Sequence, residues 1–316
     1  MGSQIWTMGE LLVEIMRPQP DLPFDQTATF LGPFPSGAPA IFIDAAARVG
    51  IKGGIIGGIG NDGFGKNLYR RLENDGVDCR YIQTLPGSTG VAFITYSSDG
   101  SRDYIFHLTK TPAVLATSPE HLEVGQLGYF HLMGCSLFMD PDFTTEILKT
   151  METFKRKGFG ISFDPNIRTE LLQGNAMDHV VAPVLESCSV LLPGKGELLQ
   201  LSGKQSIEEA AQHLFGTYAE LSIIGVKLGS SGCRILTRDS DVSLKAPAVD
   251  EVDPTGAGDC FDAGFLSALL KGESIRDAAI LGSALGALNV QAFGPMEGKI
   301  TEETVTSMIQ KISKMN

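Results

Sequence analysis

Cysteine and histidine are scarce in this sequence and never cluster. The five cysteines, Cys79, Cys135, Cys188, Cys233 and Cys260, are odd in number and form no C-x-x-C pair. That usage predicts reduced thiols in a cytoplasmic protein rather than a disulfide framework. The five histidines are dispersed, with no H-E-x-x-H, so a zinc site has no support. Positive charge is in deficit: 25 lysines and arginines stand against 37 acidic residues, a formal charge of −12. Such a balance argues against nucleic acid or an anionic membrane as partner, although a small anion could still be held by locally arranged donors. The apolar stretch at 278–290 falls well short of the roughly 20 residues of a membrane span. The opening MGSQIWTMGELLVEIM lacks a basic stretch and carries Glu10 and Glu14 in its apolar run, so no secretory signal is expected there. A G-x-x-x-x-G-K-[ST] loop is also missing, which excludes a P-loop nucleotide site.

What remains is an ordinary globular composition, 43% hydrophobic and 20% charged, long enough to bury a sizeable core. Short apolar runs alternate with helical patterns. IWTMGELLVEI reads as a first strand, APAIFIDAAARVG as a helix ending at Gly50, and IKGGIIGGIG as a glycine-rich strand. FGKNLYRRLENDGV reads as an amphipathic helix stopped by Gly76. LGYFHLMG, FGISFDPN, SVLLPG and SIIGVKLG then read as strands between helical stretches, and the last third is mostly helical. This alternation predicts a parallel sheet with helices on both faces. Two segments break it. Residues 18–36 are rich in Pro, Phe and Thr without helical period, and 88–109 read as a β-hairpin turning at Ser98-Asp99-Gly100-Ser101. They predict either a pair of edge strands or a small cover standing off the main body.

Two glycine motifs stand out. GIGNDG at 58–63 fits G-x-G-x-x-G between a strand and a helix, the superficial mark of an NAD-binding turn. It is not in the first strand–helix unit, however, and Asp75 and Asp78 flank a helix-ending glycine rather than end the next strand. Turn glycines explain it as well. The second motif is 250-DEVDPTGAGDCFDAGF-265. Gly256, Ala257 and Gly258 have almost no side chains, so their N–H groups can approach an anion closely. Phe261, Phe265, Ala268 and Leu269 then share one helical face, which puts the glycines at a helix N-terminus where negative charge is favoured. Asp259 beside such a hole is either a helix cap or a base that removes a hydroxyl proton as that oxygen attacks phosphorus.

DPTGAGDCFDAGF resembles the C-terminal signature of the ribokinase, or PfkB-type, carbohydrate kinases. SGAPAIFIDAAARVGIKGGIIGGIGNDGFG at 36–65 resembles that family's N-terminal signature, FDPNIR at 163–168 its middle strand motif, and VKLGSSG at 226–232 its nucleotide loop. The resemblance spans about residues 5–300, in the expected order. It implies a single three-layer α/β/α Rossmann-like domain over 1–316 with a small β-sheet lid formed by about 16–36 and 88–112. It also implies transfer of the γ-phosphoryl of ATP to a sugar hydroxyl with Mg2+, with Asp259 as base and Gly256, Ala257 and Gly258 as anion hole. By the same resemblance Lys195, Lys227, Gly229 and Gly232 line the nucleotide, Glu197 organises Mg2+ through water, and Asp253 and Thr255 fall where relatives hold K+. Glu14, Gly37, Ala38, His107 and Arg168 fall where relatives bind the sugar, and relatives often dimerise through their lids.

Several positions depart from the family pattern. Ser36 and Ile41 stand where G-G-x-x-x-N has its first glycine and its sugar-binding asparagine; Ile41 cannot hydrogen-bond a polyol. Gly194 replaces the asparagine of N-x-x-E, with Lys195 as a compensating cation, and Glu14 replaces a shorter aspartate. Sugar-acid kinases are expected to clamp their carboxylate with arginine. The lid position where 2-keto-3-deoxygluconate kinases carry one holds His107, so a neutral ketose of tagatose or fructose type is favoured over the keto acid. A non-catalytic sugar-binding regulator on the same fold is the reading that the lost asparagine leaves open.

Overall fold

A computed structural model describes residues 3–125, 127–167 and 177–316. In chain order the strands are β1 (Gln4–Met8), β2 (Leu12–Met16), β3 (Leu31–Ser36), β4 (Gly53–Gly60), β5 (Asp78–Leu85), β6 (Gly90–Tyr96) and β7 (Arg102–His107). They continue as β8 (Gly128–Met133), β9 (Gly160–Asp164), β10 (Cys188–Leu191), β11 (Ile223–Lys227), β12 (Cys233–Thr237) and β13 (Asp241–Leu244). Nine of them form one sheet in the order β13-β12-β11-β10-β9-β8-β1-β4-β5. It is parallel from β11 to β5, as the alternation predicts. The antiparallel hairpin β12–β13 at one edge is an addition the pattern did not announce.

Both faces of this sheet are buried, and successive residues go to opposite cores. Ile5 and Ile55 join one apolar cluster, Trp6, Met8 and Ile56 the other. The first core is closed by α1 (Ala38–Arg48), α2 (Gly63–Asn74), α8 (Ala257–Leu270), α9 (Ile275–Asn289) and α10 (Glu302–Met315). The second is closed by α4 (Pro141–Arg156), α5 (Met177–Ser187), α6 (Lys195–Ser202) and α7 (Ile207–Thr217), with short α3 (Gly134–Leu137) after β8. This is the expected three-layer α/β/α arrangement. Open α/β sheets place their ligands in the crevice outside the C-terminal ends of the parallel strands, and Asp164 and Lys227 end β9 and β11 on that side.

IWTMGELLVEI is not one strand. β1 lies in the main sheet, while β2 crosses into a second, four-stranded sheet ordered β3-β2-β6-β7. Gly9 is the break: a Cβ there would stand 2.3 Å from the Pro39 ring and 2.5 Å from Ser136 Oγ. A continuous apolar period cannot register such a change of sheet. The second sheet is the lid, and its strands begin at Leu12 rather than residue 16. Pairings Ala92↔Phe106, Ile94↔Tyr104 and Tyr96↔Arg102 put these residues on one face. That face looks toward the body, because Tyr96 and Arg102 contact Asp253 and Thr255. The outer face carries Phe93, on which Phe30 packs edge-on at 5.7 Å. Arg17, fully buried, lies over the Phe30 ring and pins the segment that covers this side.

Candidate active site

The helix α8 starts where the glycine motif predicts. Gly256 is its N-cap in a left-handed conformation (φ 79°), and Ala257, Gly258 and Asp259 form its first turn. The backbone needs glycine at 256 twice over, since a Cβ would also stand 2.6 Å from the Pro295 carbonyl oxygen. A helix start turns its first N–H groups outward, and although that of Ala257 also reaches the Pro254 carbonyl at 3.3 Å, the turn presents N–H donors to an anion. Asp259 is therefore not the cap; it is the third residue of the helix, and the capping alternative falls. Its carboxylate is largely buried, and Oδ1 accepts from Asn166 Nδ2 at 3.3 Å.

Asn166 follows β9 in FDPN and adopts φ 35°, a conformation that asparagine tolerates better than most residues. Its N–H is held by Asp164 Oδ1 at 3.1 Å. The motif was legible, but Asn166 itself was not singled out; an asparagine after D-P at a strand end was the available signal. Ile41 packs against the same loop, with Cγ2 3.0 Å from where a Gly256 Cβ would lie. The residue that replaces the family asparagine thus supports the hole.

Beneath the first turn lies a buried ionic cluster. Lys227 Nζ, at the end of β11, donates to Asp164 Oδ2 at 2.7 Å and to Asp262 Oδ2 at 3.0 Å. Burial pushes Asp262 well above the usual carboxylate range. Burial also works against ionised Asp164, but the Lys227 ammonium outweighs it and holds this carboxyl low. The three side chains form one hydrogen-bonded ionic group. Lys227 points inward, toward these acids and within 3.6 Å of the Gly258 Cβ position, rather than out over the crevice. Gly229 and Gly232 turn the chain from β11 into β12, with φ of 58° and 108°.

Glu197, in the first turn of α6, accepts Gly194 N–H at 2.6 Å on Oε2 and Ile167 N–H at 2.7 Å on Oε1. Burial and the charge of Asp164 push its pKa up. Each oxygen keeps a second lone pair, so the residue fits a water-mediated contact to Mg2+. Among the described residues no group of three or more potential ligands gathers as a ready-made metal site. Mg2+ in such a site takes its remaining ligands from phosphate and water. Lys195 is exposed at the start of α6.

On the sugar side, Ser36 Oγ donates to Glu14 Oε1 at 2.7 Å, so two departures from the family pattern form one buried pair. Gly37 caps α1 at φ 106°, and Ala38 opens that helix. His107 requires a correction. It is exposed and lies on the outer face of β7, edge-on to Phe93 at 5.9 Å, because strand alternation places it opposite Tyr104 and Phe106. Arg168 lies outside the described residues. Asp253 and Thr255 are buried below the lid tip; Asp253 accepts Thr255 N–H on Oδ1 and Gly294 N–H on Oδ2.

The G-x-G-x-x-G match is structural. Asp62 caps α2, accepts Gly65 N–H at 2.8 Å, and also takes the N–H and hydroxyl of Thr89. A carboxylate already sits where a pyrophosphate would have to bind, which overturns the NAD alternative.

A model of the pfkB family carbohydrate kinases matches residues 23–302. Probable fructokinase-4 of Arabidopsis thaliana is 30% identical over 98% of this chain and 97% of its own. A 2-dehydro-3-deoxygluconokinase of Bacillus subtilis is also 30% identical, over 87% of this chain and 86% of its own. Among solved structures, a provisionally assigned ribokinase II from E. coli in complex with ATP and Mg2+ superposes with a TM-score of 0.89 at 38% identity, covering 98% of this chain and 99% of that one. Together with the α/β/α body, the lid and a glycine-led helix start carrying an aspartate, these matches show that the chain belongs to the pfkB family of carbohydrate kinases.

Proposed function

We propose that this ATP-dependent sugar kinase uses Asp259 as general base to deprotonate a hydroxyl of a ketose of tagatose or fructose type. The observation that carries the reading is the position of Asp259: in the first turn of α8, beside the Gly256–Gly258 amides and held by Asn166. ATP with Mg2+ supplies the phosphoryl group when bound. Asp259 takes the hydroxyl proton as that oxygen attacks, and its orientation is set in advance by Asn166. The first-turn amides of α8 meet the charge that accumulates on the phosphoryl oxygens. Gly229 and Gly232 shape the nucleotide side, Lys195 offers a phosphate contact at its rim, and Glu197 orients water around the metal. Lys227 contributes to the same side as a fixed charge beneath the hole. A potassium ion at Asp253 and Thr255 would share Asp253 with the donors already on it.

Glu14, fixed by Ser36, and the Gly37–Ala38 turn form the sugar side, where a buried carboxylate acceptor suits a polyol. Fructokinases recur among the relatives. A second reading, a 2-keto-3-deoxygluconate kinase, is favoured by the B. subtilis relative and by Arg102, a guanidinium on the inner lid face. The five cysteines are buried and form no disulfide, which suits a reducing cytoplasm. Exposed Ile105 on the outer lid face suits a homodimer formed there.

ADP release over fructose, tagatose and 2-keto-3-deoxygluconate decides between the two readings, and no turnover with any of them removes both. Asp259→Asn should lower kcat by about 10²–10⁴-fold while ATP still binds. A near-normal rate in that variant eliminates Asp259 as the base.

A further inference from the structure

The lid hairpin does more than cover the crevice: its tip is tied to the segment that leads into the anion hole. Tyr96 and Arg102 face each other as the last cross-strand pair before the turn between β6 and β7. The Tyr96 hydroxyl lies 3.0 Å from Asp253 Oδ1 and 3.2 Å from Thr255 Oγ1. Arg102 donates to the same Thr255 oxygen at 3.2 Å. Asp253 and Thr255 are both buried, 1% and 6% exposed, and the segment is braced from behind by Gly294 N–H on Asp253 Oδ2 and by Asn289 Nδ2 on the Thr255 carbonyl. Phe293 adds an aromatic seat, 6.2 Å from the Tyr96 ring and 5.8 Å from Phe34 of β3. Thr255 is followed directly by Gly256, the cap from which the anion-hole amides hang.

We propose that Tyr96 and Arg102 are positioning residues that couple lid docking to the geometry of the Gly256–Asp259 turn, so that the hole is fully set only when the lid is seated. Neither residue needs to touch the reacting atoms; both act through Thr255. The coupling has a physical basis in the sharing of one hydroxyl: Thr255 Oγ1 meets both lid residues, while Thr255 N–H and its carbonyl are fixed to Asp253 and Asn289. Shifting that side chain shifts a residue clamped at both ends, and the peptide after it is the helix cap. The proposal rests on the kinase reading for its consequence, since a hole set by the lid would make phosphoryl transfer depend on lid closure and leave ATP protected from water in the open state.

The test uses the full chain with Tyr96→Phe, Arg102→Met and the double variant. Each is compared with the parent for amide hydrogen exchange, for kcat and KM with the ketose that turns over fastest, and for ATP hydrolysis without sugar. The expected result is exchange about tenfold faster within 255–258, at the bonded amides of Thr255 and Ala257, in each single variant, kcat lowered about tenfold, and KM for ATP nearly unchanged. The double variant should lose little more than either single one, because both act through one oxygen. Exchange that rises only within 96–102, or a kcat equal to the parent's, overturns the proposal. Faster exchange at 255–258 in the variants of a parent that phosphorylates no sugar would leave the latch standing and remove the functional reading instead. If Tyr96→Phe melts below the assay temperature, Arg102→Met at the hairpin tip carries the same comparison alone.

Discussion

Gly256 and Gly258 are two residues apart, yet the structure asks different things of them. Gly256 sits at φ 79° with the Pro295 carbonyl 2.6 Å from any added Cβ. Gly256→Ala should therefore cost about 2 kcal/mol or more of stability, read as a lowered denaturation midpoint. At Gly258 a Cβ would meet only the Lys227 side chain, at 3.6–3.9 Å, which is ordinary contact. Its smallness is not demanded by the fold. Gly258→Ala should melt at or slightly above the parent, gaining up to about 0.5–1 kcal/mol in a helix, while kcat falls at least about tenfold. The reverse pattern, an unstable but active Gly258→Ala, would deny the anion hole at that position. The sequence motif identified both glycines but could not separate their duties. That needed the atoms of Pro295 and Lys227, which are remote from the motif in sequence.

At the scale of elements, β9, β11 and α8 meet at Lys227. Its ammonium bridges Asp164 at the end of β9 and Asp262 in α8, and Asp164 in turn holds the N–H of Asn166. Lys227→Met would leave two buried carboxyls against each other with no cation. Removing one partner of a buried ionic group typically costs about 3–5 kcal/mol. Urea denaturation should show that loss with an unchanged m-value; a loss under about 1 kcal/mol would mean the pair is solvated. The sequence reading put Lys227 on the nucleotide side because VKLGSSG marks a nucleotide loop. The loop is there, but the lysine is the half-buried last residue of the strand, and its partners lie 63 and 35 residues away. A similar limit applied to IWTMGELLVEI and to His107: apolar alternation shows that a strand exists, not which sheet it joins or which face meets the site.

Across the whole molecule, the buried polar groups make stability depend on acid. His131 on β8 is fully buried, stacked on Phe42 at 4.1 Å, with Nδ1 2.9 Å from Ser162 Oγ. Burial lowers its pKa from 6.5 to about 3. The folded state thus binds fewer protons than the unfolded chain between those values. Stability from this group is present above pH 6.5 and lost as pH falls toward 3, at up to about 1.4 kcal/mol per pH unit. Thermal melts across that window should show the slope, and His131→Asn should flatten it. An identical slope in the variant would assign acid sensitivity to other groups.

The sequence by itself determined the layered α/β/α class, the helix start at the glycine motif and the presence of an aspartate beside it. Those features are local: they depend on hydrophobic period, on residues small enough for a tight approach, and on a motif read in order. Only the tertiary structure decided that Asp259 is held by Asn166, that Ser36 and Glu14 are one pair, that Lys227 faces inward, and that the lid tip grips Thr255. Each of these joins residues between 22 and 159 positions apart, and such pairings follow from sheet order and strand register. A one-residue change of register would send the strand residues among them, Glu14, Ser36, Tyr96 and Lys227, to the opposite face, and no property of the local sequence reports it.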